Sequence, residues 1–236
     1  MIRSRLGLKA LVLSGLVLGL MAFAAAGAQA EGNFKVNGTN VSSELLPSIQ
    51  VSSVENKTSS LLFTTGGGTK VEILCTEIKL LDGTTTNPAK LGVGGTVDLG
   101  TVHFSGCITK LNGTLSKNCE PFTGANKGLI KTETGKGILR LHENQPVIEV
   151  TPDVGTTFVT IALGPLCAIG EEVPVAGVLF LQDCKKEGAI EAKEHLIEEL
   201  KALTKLTALS QPATLDGSAI VTLVGAHAGL TFSALT

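Results

Sequence analysis

Residues 101–141, TVHFSGCITKLNGTLSKNCEPFTGANKGLIKTETGKGILRL, decide the fold of this chain. They combine short apolar runs, which are typical of β-strands, with Gly-containing turns and two cysteines, Cys107 and Cys119. The same alternation of strands and turns extends on both sides, from LLFTT at residues 61–65 to VPVAGVLFL at residues 173–181. Evenly spaced short strands are typical of all-β architectures. We therefore predict a mainly β protein, built as an antiparallel β-sandwich or barrel.

Residues 189–206, AIEAKEHLIEELKALTKL, break this pattern. In a helix, Leu196, Leu200 and Leu203 would form one apolar stripe, with glutamates and lysines on the opposite face. The acidic residues at the start and the lysines at the end would also suit the helix dipole. The sequence therefore predicts one C-terminal amphipathic helix that packs its leucine stripe against the sheet.

The first thirty residues have the organisation of a secretory signal peptide. Three basic residues precede an apolar run at residues 10–26, and Ala28-Gln29-Ala30 is typical of a cleavage site. We predict a signal peptide at residues 1–30, which favours an oxidising, extracellular location for the mature protein.

The mature chain is predicted to hold one domain. Residues 31–60, rich in Asn, Ser and Thr, are interpreted as a flexible N-terminal arm that contributes one edge strand. No Pro- or Ser-rich linker interrupts the strand pattern after Leu61, so residues 61–236 are predicted to form a single β-rich domain. Its last two strands, at residues 218–224 and 230–234, are expected to pair as a hairpin across a Gly-containing turn.

Composition excludes several classes of partner. The chain has 3% aromatic residues, without Trp or Tyr, and a formal net charge of −2. Binding of nucleic acid needs a basic surface and usually aromatic stacking platforms, so no nucleic-acid partner is predicted. No apolar run beyond residue 30 is long enough to cross a bilayer, which predicts no membrane span in the mature chain.

No motif indicates catalysis. The sequence lacks CxxC, HExxH and G-x-S-x-G, and its Gly-rich stretches lack the P-loop pattern. His103, His142 and His195 have no partner at metal-ligand spacing, and Asp153 and the Glu171-Glu172 pair are interpreted as acids of surface turns. We therefore predict no catalytic, cofactor-binding or metal-binding residues and no cofactor, so the protein is not expected to be an enzyme.

Five cysteines remain after the predicted signal peptide, and secretion favours disulfides among them. Proximity in the sequence favours the pairs Cys107–Cys119 and Cys167–Cys184, which leaves Cys75 as the candidate free thiol. A bond from Cys75 to Cys107 or to Cys119 is the alternative, because the sequence alone does not fix connectivity.

The cysteine-containing strands also carry a resemblance. ILC at residues 73–75, FSGC at 104–107, Cys119, the Gly-containing run at 128–141 and LC at 166–167 resemble a group of secreted, β-rich proteins of high-GC Gram-positive soil bacteria. The resemblance spans about residues 71–182 and implies secretion and a β fold. It also implies that the cysteines at 75, 107, 119 and 167 form the two bonds, with Cys184 free. The group has no established activity, so it implies no catalytic residue.

Together these observations predict a secreted or cell-surface protein with a structural or interaction role. Its partner would be an extracellular or cell-envelope component that contacts a sheet edge or an apolar face. The alternative function is binding of a small apolar ligand in a cavity between sheets, lined by Val, Leu and Phe.

Overall fold

The fold is described for residues 32–42, 47–87, 94–183 and 191–235 of a computed structural model. The predicted signal peptide at residues 1–30 and Cys184 lie outside these ranges. The described strands are β1 Asn33–Val36, β2 Thr39–Asn40, β3 Ser48–Ser53, β4 Ser59–Thr64, β5 Lys70–Cys75, β6 Glu77–Thr86, β7 Thr96–Leu99, β8 Val102–Ser105, β9 Ile108–Leu111, β10 Thr114–Leu115, β11 Phe122–Thr123, β12 Asn126–Lys127, β13 Ile130–Lys131, β14 Gly135–His142, β15 Gln145–Pro152, β16 Thr157–Ala162, β17 Glu172–Asp183, β18 Glu194–Glu199, β19 Lys205–Ala208, β20 Gln211–Asp216, β21 Ser218–Val224 and β22 Phe232–Leu235. Two single-turn 3₁₀ helices, Lys117–Cys119 and Gly225–His227, are also present.

Eight strands close a ring in which every pairing is antiparallel. The order is β3, β6, β7, β14, β15, β17, β18 and β21, and β21 returns to β3. Closure leaves the ring without an unpaired strand edge. The mainly β, antiparallel class expected from the sequence is therefore confirmed, in its barrel form.

The wall of the barrel continues below the ring in a second sheet. There β9, β5, β4, β20, β19, β17 and β16 lie side by side in that order. Most of these strands are extensions of ring strands: Thr76 alone separates β5 from β6, and Gly217 alone separates β20 from β21. Several segments connect strands of the ring with strands of the second sheet. We call the level of these segments the waist; it comprises residues 76, 106–107, 200–204 and 217.

Strand β17 crosses the waist without interruption. It pairs with β19 up to Val178 and with β15 from Leu179 onward. Gly177, which pairs with Leu206 of β19 just before this change of partner and has a positive φ, has the backbone carbonyl of Lys205 where a Cβ would stand. Only glycine fits there, so this residue allows one strand to serve both sheets.

The disulfides differ from the pairing that proximity favoured. Cys75 bonds Cys107 and Cys119 bonds Cys167, so the expected Cys107–Cys119 and Cys167–Cys184 bonds and the free thiol at Cys75 are wrong. The reason is strand adjacency: β5 lies beside β9, which brings the Cα atoms of Cys75 and Cys107 to 4.0 Å. The bonded cysteines are the four that the resemblance implied.

The predicted helix at residues 189–206 is also wrong within the described residues. Residues 194–199 form strand β18, and a turn follows at residues 201–203. β18 pairs with β17 on one side and β21 on the other, and thereby closes the ring. Both rows of its backbone hydrogen-bonding groups are used in this way, and such long-range pairing overrides local helix propensity.

The N-terminal segment is more integrated than an arm with an edge strand. β3 lies between β21 and β6 inside the ring, so it is not an edge strand. The last strand, β22, pairs with β1 and not with β21, so the expected C-terminal hairpin is wrong as well. Strands β2, β1 and β22 form a separate three-stranded sheet. We call this sheet the plug, because it packs on side chains of one end of the ring.

Candidate site: a cavity in the barrel

The interior of the barrel contains a cavity of about 280 Å³. Its walls come from both sheets and from the plug, and they are almost wholly apolar. Eight-stranded barrels are just wide enough either to be filled by side chains or to hold one small ligand. The inward-facing residues here are aliphatic chains of medium size with a few phenylalanines, and their number leaves the centre unfilled. Representative wall residues are Leu99, Ile130, Ile148, Phe158, Leu179 and Ile197.

One glycine of β14, Gly135, borders this space, and Gly137 follows it on the same face of the strand. Gly135 and Gly137 are buried in a strand whose residue Leu139, on the same face, belongs to the core. At Gly137 a Cβ would stand 2.8 Å from a methyl group of Ile148 on the neighbouring strand, so Ile148 packs over the bare backbone. A larger residue at this position would push Ile148 out of its place.

The plug closes the cavity at one end. Phe34 of β1 and Phe232 and Ala234 of β22 line it. Phe34 and Val36 belong to the same apolar cluster as Leu80 and Leu139 of the ring. The plug is therefore part of the core at this end and forms the lid of the cavity.

Asn87, at the end of β6, fastens the first strand of the plug. Its Oδ1 accepts a hydrogen bond from Phe34 N at 2.7 Å, and its Nδ2 donates to Phe34 O at 2.7 Å and to Val41 O at 2.9 Å. The side chain is buried, where a lost hydrogen bond costs the desolvation of the group left behind. One amide thus holds three backbone groups of the lid segment.

His195 fastens the last strand of the plug. Its Nδ1 lies 2.7 Å from Oδ2 of Asp183, and its Nε2 lies 2.8 Å from the carbonyl oxygen of Phe232. Both ring nitrogens are thus engaged, one with a carboxyl group and the other with the backbone of β22. The side chains of His195 and Asp183 are both more than nine-tenths buried. The His195 and Phe232 rings also meet edge to face at 4.3 Å.

Glu199, at the end of β18, is the third buried polar group of the wall. Its Oε2 accepts a hydrogen bond from Leu215 N at 3.0 Å. Its Oε1 is buried and has no hydrogen-bond partner of standard geometry; the nearby Thr204 hydroxyl accepts from Phe180 N at 3.0 Å and donates to Phe180 O at 3.5 Å. Burial raises the pKa of Glu199, against smaller opposing effects of the Leu215 amide, Lys201 and the Thr204 hydroxyl. This raised pKa favours the neutral, protonated carboxyl.

The far end of the barrel is closed differently. The Cys119–Cys167 bond joins the segment after β10 to the loop between β16 and β17. Cys119 and Leu163 are almost completely buried there. This end is therefore covalently fastened.

The acids and histidines singled out in the sequence do not come together. Asp153, Glu171 and Glu172 are exposed, and Asp153 forms an ion pair with Lys136. Among the described residues, no group of three His, Cys, Asp or Glu side chains could hold a metal ion. Of the histidines and acids singled out in the sequence, only His195 lies at the cavity, in a segment for which the sequence predicts a helix.

Sequence reasoning missed Asn87, Asp183 and Glu199. The available signal was the segment Glu194–Glu199 read with a period of two, which places His195, Ile197 and Glu199 on one face. That reading would have shown two titratable groups among wall residues of a strand.

Comparison of the chain with family models, curated proteins and solved structures finds no match. In the part of the chain that is described, no helix has the length and apolar character needed to cross a membrane.

Proposed function

We propose that this protein is a secreted, non-catalytic carrier that binds one small apolar molecule inside the barrel. The observation that supports this most is the apolar cavity of about 280 Å³ between the plug and the disulfide-bonded end. An engineered apolar cavity of about 150 Å³ in another protein binds benzene. The space here suits a molecule about twice that size.

The energetic cost of an unfilled cavity favours an occupant. Cavities left in protein cores cost about 24 cal/mol per Å³, so 280 Å³ corresponds to a cost on the order of 7 kcal/mol. That cost is comparable with the whole unfolding free energy of an ordinary domain. A bound apolar molecule would recover part of it, because it restores the missing dispersion contacts.

The charges around the cavity favour a neutral molecule. Among the described wall residues there is no Lys or Arg, and the side chain of His195 is already paired with Asp183. Glu133, Glu198 and Glu199 also border the space. A carboxylate ligand such as a fatty-acid anion would find acids and no unpaired cation, and burying its charge would be costly.

Extracellular location is supported by the two disulfides, which fit an oxidising compartment. A protein that carries an apolar molecule through water also needs a shielded interior, and the ring has no open edge through which such a molecule would be exposed. The predicted signal peptide agrees with this placement.

The test is titration with N-phenyl-1-naphthylamine, an uncharged apolar fluorophore. We expect saturable 1:1 binding with a blue-shifted, enhanced emission. Leu179→Trp would place an indole in the cavity and should weaken binding about tenfold, which corresponds to about 1.4 kcal/mol. Val178→Trp, next to it on β17 but not in the cavity wall, is the matched control and should bind like the wild type. Equal binding by all three proteins would contradict the proposal.

An interaction role without a ligand is the second candidate. Leu115 and Leu166 are exposed at the disulfide-bonded end, where exposed large apolar residues mark a contact surface if they form a continuous patch. Sedimentation analysis over a range of concentrations distinguishes the candidates. A concentration-dependent oligomer that does not bind the fluorophore would favour the interaction role.

A further inference from the structure

We propose that the apolar ligand carries one hydroxyl group, and that this hydroxyl pairs with Oε1 of Glu199 at the waist of the barrel. The inference rests on the proposed function, since it names the chemical class of the molecule that occupies the cavity. The observation behind it is a polar atom without a partner in a side chain that borders an otherwise apolar space.

The strand pairing explains why a carboxyl group stands at this place. Glu198 pairs with Ser218 and Leu206 pairs with Ala213, so residues 199–205 lie opposite the shorter segment 214–217. The longer segment loops out as a turn, and the regular ladder is interrupted. Oε2 of Glu199 takes the place of a backbone acceptor for Leu215 N in this gap. That role uses one carboxyl oxygen and leaves the other available.

Glu199 has polar neighbours in the wall. Ser218 borders the cavity and pairs with Glu198, and Ser60, which also borders it, lies on β4 and pairs with Asp216 of β20. The remaining wall is mostly Val, Leu, Ile and Phe, with further polar groups at His195, Asp183 and Ser233. A ligand with one polar group and an apolar body fits this lining.

The carboxyl group at this place favours a hydroxyl as its partner. A hydroxyl can donate to a carboxylate, and it can donate to or accept from a protonated carboxyl, so it pairs with Oε1 of Glu199 in either form. A carboxylate ligand would offer only acceptors and bring a third acid beside Glu198 and Glu199. An ammonium group would need the ionised form of Glu199, which burial disfavours.

The experiment compares 1-decanol with undecane, which replaces the hydroxyl by a methyl group. Both displace N-phenyl-1-naphthylamine from the wild-type protein and from Glu199→Leu, a variant of similar volume without the carboxyl. For each protein we take the ratio of the dissociation constants of undecane and decanol. Comparing this ratio between the wild type and Glu199→Leu removes the difference in hydration of the two ligands, because that difference is the same for both proteins. We expect the preference for decanol to fall about tenfold in Glu199→Leu. Glu199→Gln, which keeps an acceptor for Leu215 N and a donor for the ligand, should keep most of that preference.

A second measurement uses only the wild-type chain, in case Glu199→Leu does not fold. Decanol should shift a carboxyl band of the protein, from the acid or the carboxylate form, in the infrared difference spectrum, and undecane should not. Binding of both ligands with an unchanged preference, or no such band shift, would overturn the hydroxyl assignment and leave the carrier function standing. Preference for decylamine over decanol would also overturn it. Failure of the fluorophore and of every ligand to bind would overturn the carrier function itself.

Discussion

The two ends of the barrel are closed by different chemistry. At one end the plug is held by buried hydrogen bonds from Asn87 and from the His195–Asp183 pair. At the other end Cys119 and Cys167 are joined by a covalent bond. Hydrogen bonds open and reform during thermal fluctuations, whereas a disulfide in an oxidising medium does not. If the barrel carries a ligand as we propose, the comparison predicts that the ligand enters and leaves through the plug.

The largest effect on stability is expected at the covalent end. The double substitution Cys119→Ala and Cys167→Ala opens a loop closed by cysteines 48 residues apart, which the chain-entropy model values at about 4 kcal/mol. Urea unfolding should show this loss. The dissociation rate of N-phenyl-1-naphthylamine from the folded protein, measured by stopped flow, should change little, because the plug is untouched. If the disulfide variant released the fluorophore faster than the plug variants described below, the ligand path would lie at the disulfide-bonded end and not at the plug.

The plug should respond in the opposite way to Asn87→Ala. This substitution leaves Phe34 N and Val41 O without the Asn87 side chain in a buried place, while Phe34 O keeps its bond from Val41 N, and we expect a loss of about 3 kcal/mol in unfolding free energy. We also expect the fluorophore to dissociate at least ten times faster, since the lid opens more often. The disulfide variant is the control, because we expect it to lose at least as much stability without faster dissociation of the fluorophore. Unchanged dissociation from Asn87→Ala would show that the plug is not the path.

A smaller effect is expected from His195→Phe. The substitution keeps the apolar packing against Phe232 and removes both hydrogen bonds, so the cost should be about 2 kcal/mol. Because His195 holds β22 by the Phe232 carbonyl, the amides of Phe232–Leu235 should exchange with deuterium faster than those of ring strand β15. Uniform acceleration in both strands would indicate global destabilisation and would contradict a local role in holding the plug.

A second comparison, between strands with a local sequence signal and a strand without one, shows what the sequence could predict. Strands such as β5, β16 and β17 follow local alternation or short apolar runs, and their existence was predictable. β18 was not, because EHLIEE is a good helical segment in isolation and becomes a strand only through pairing with β17 and β21. The information that decides this segment lies in other parts of the chain.

The residues of the site were hidden for the same reason. His195, Asp183 and Glu199 become significant only when distant strands bring them to the cavity wall, and a helical interpretation of residues 189–206 places His195 in solvent. The disulfide pattern failed in a related way, since Cys75 and Cys107 are neighbours across β5 and β9 but lie 32 residues apart in the chain. By contrast, the apolar interior without Trp or Tyr followed from composition and supports the cavity.

The smallest expected effect is a pH dependence of stability at Glu199, in the wall between the two ends. Because burial raises its pKa in the folded protein, the folded chain holds this proton more tightly than the unfolded chain does. Its contribution is therefore fully favourable below the ordinary pKa of a glutamate and is lost as the pH rises from there through the raised pKa. Glu199→Gln keeps an acceptor for Leu215 N and cannot ionise, so its stability relative to the wild type should increase across that window. Urea unfolding at several pH values measures this difference, and a constant difference would show that Glu199 titrates alike in the folded and unfolded chain.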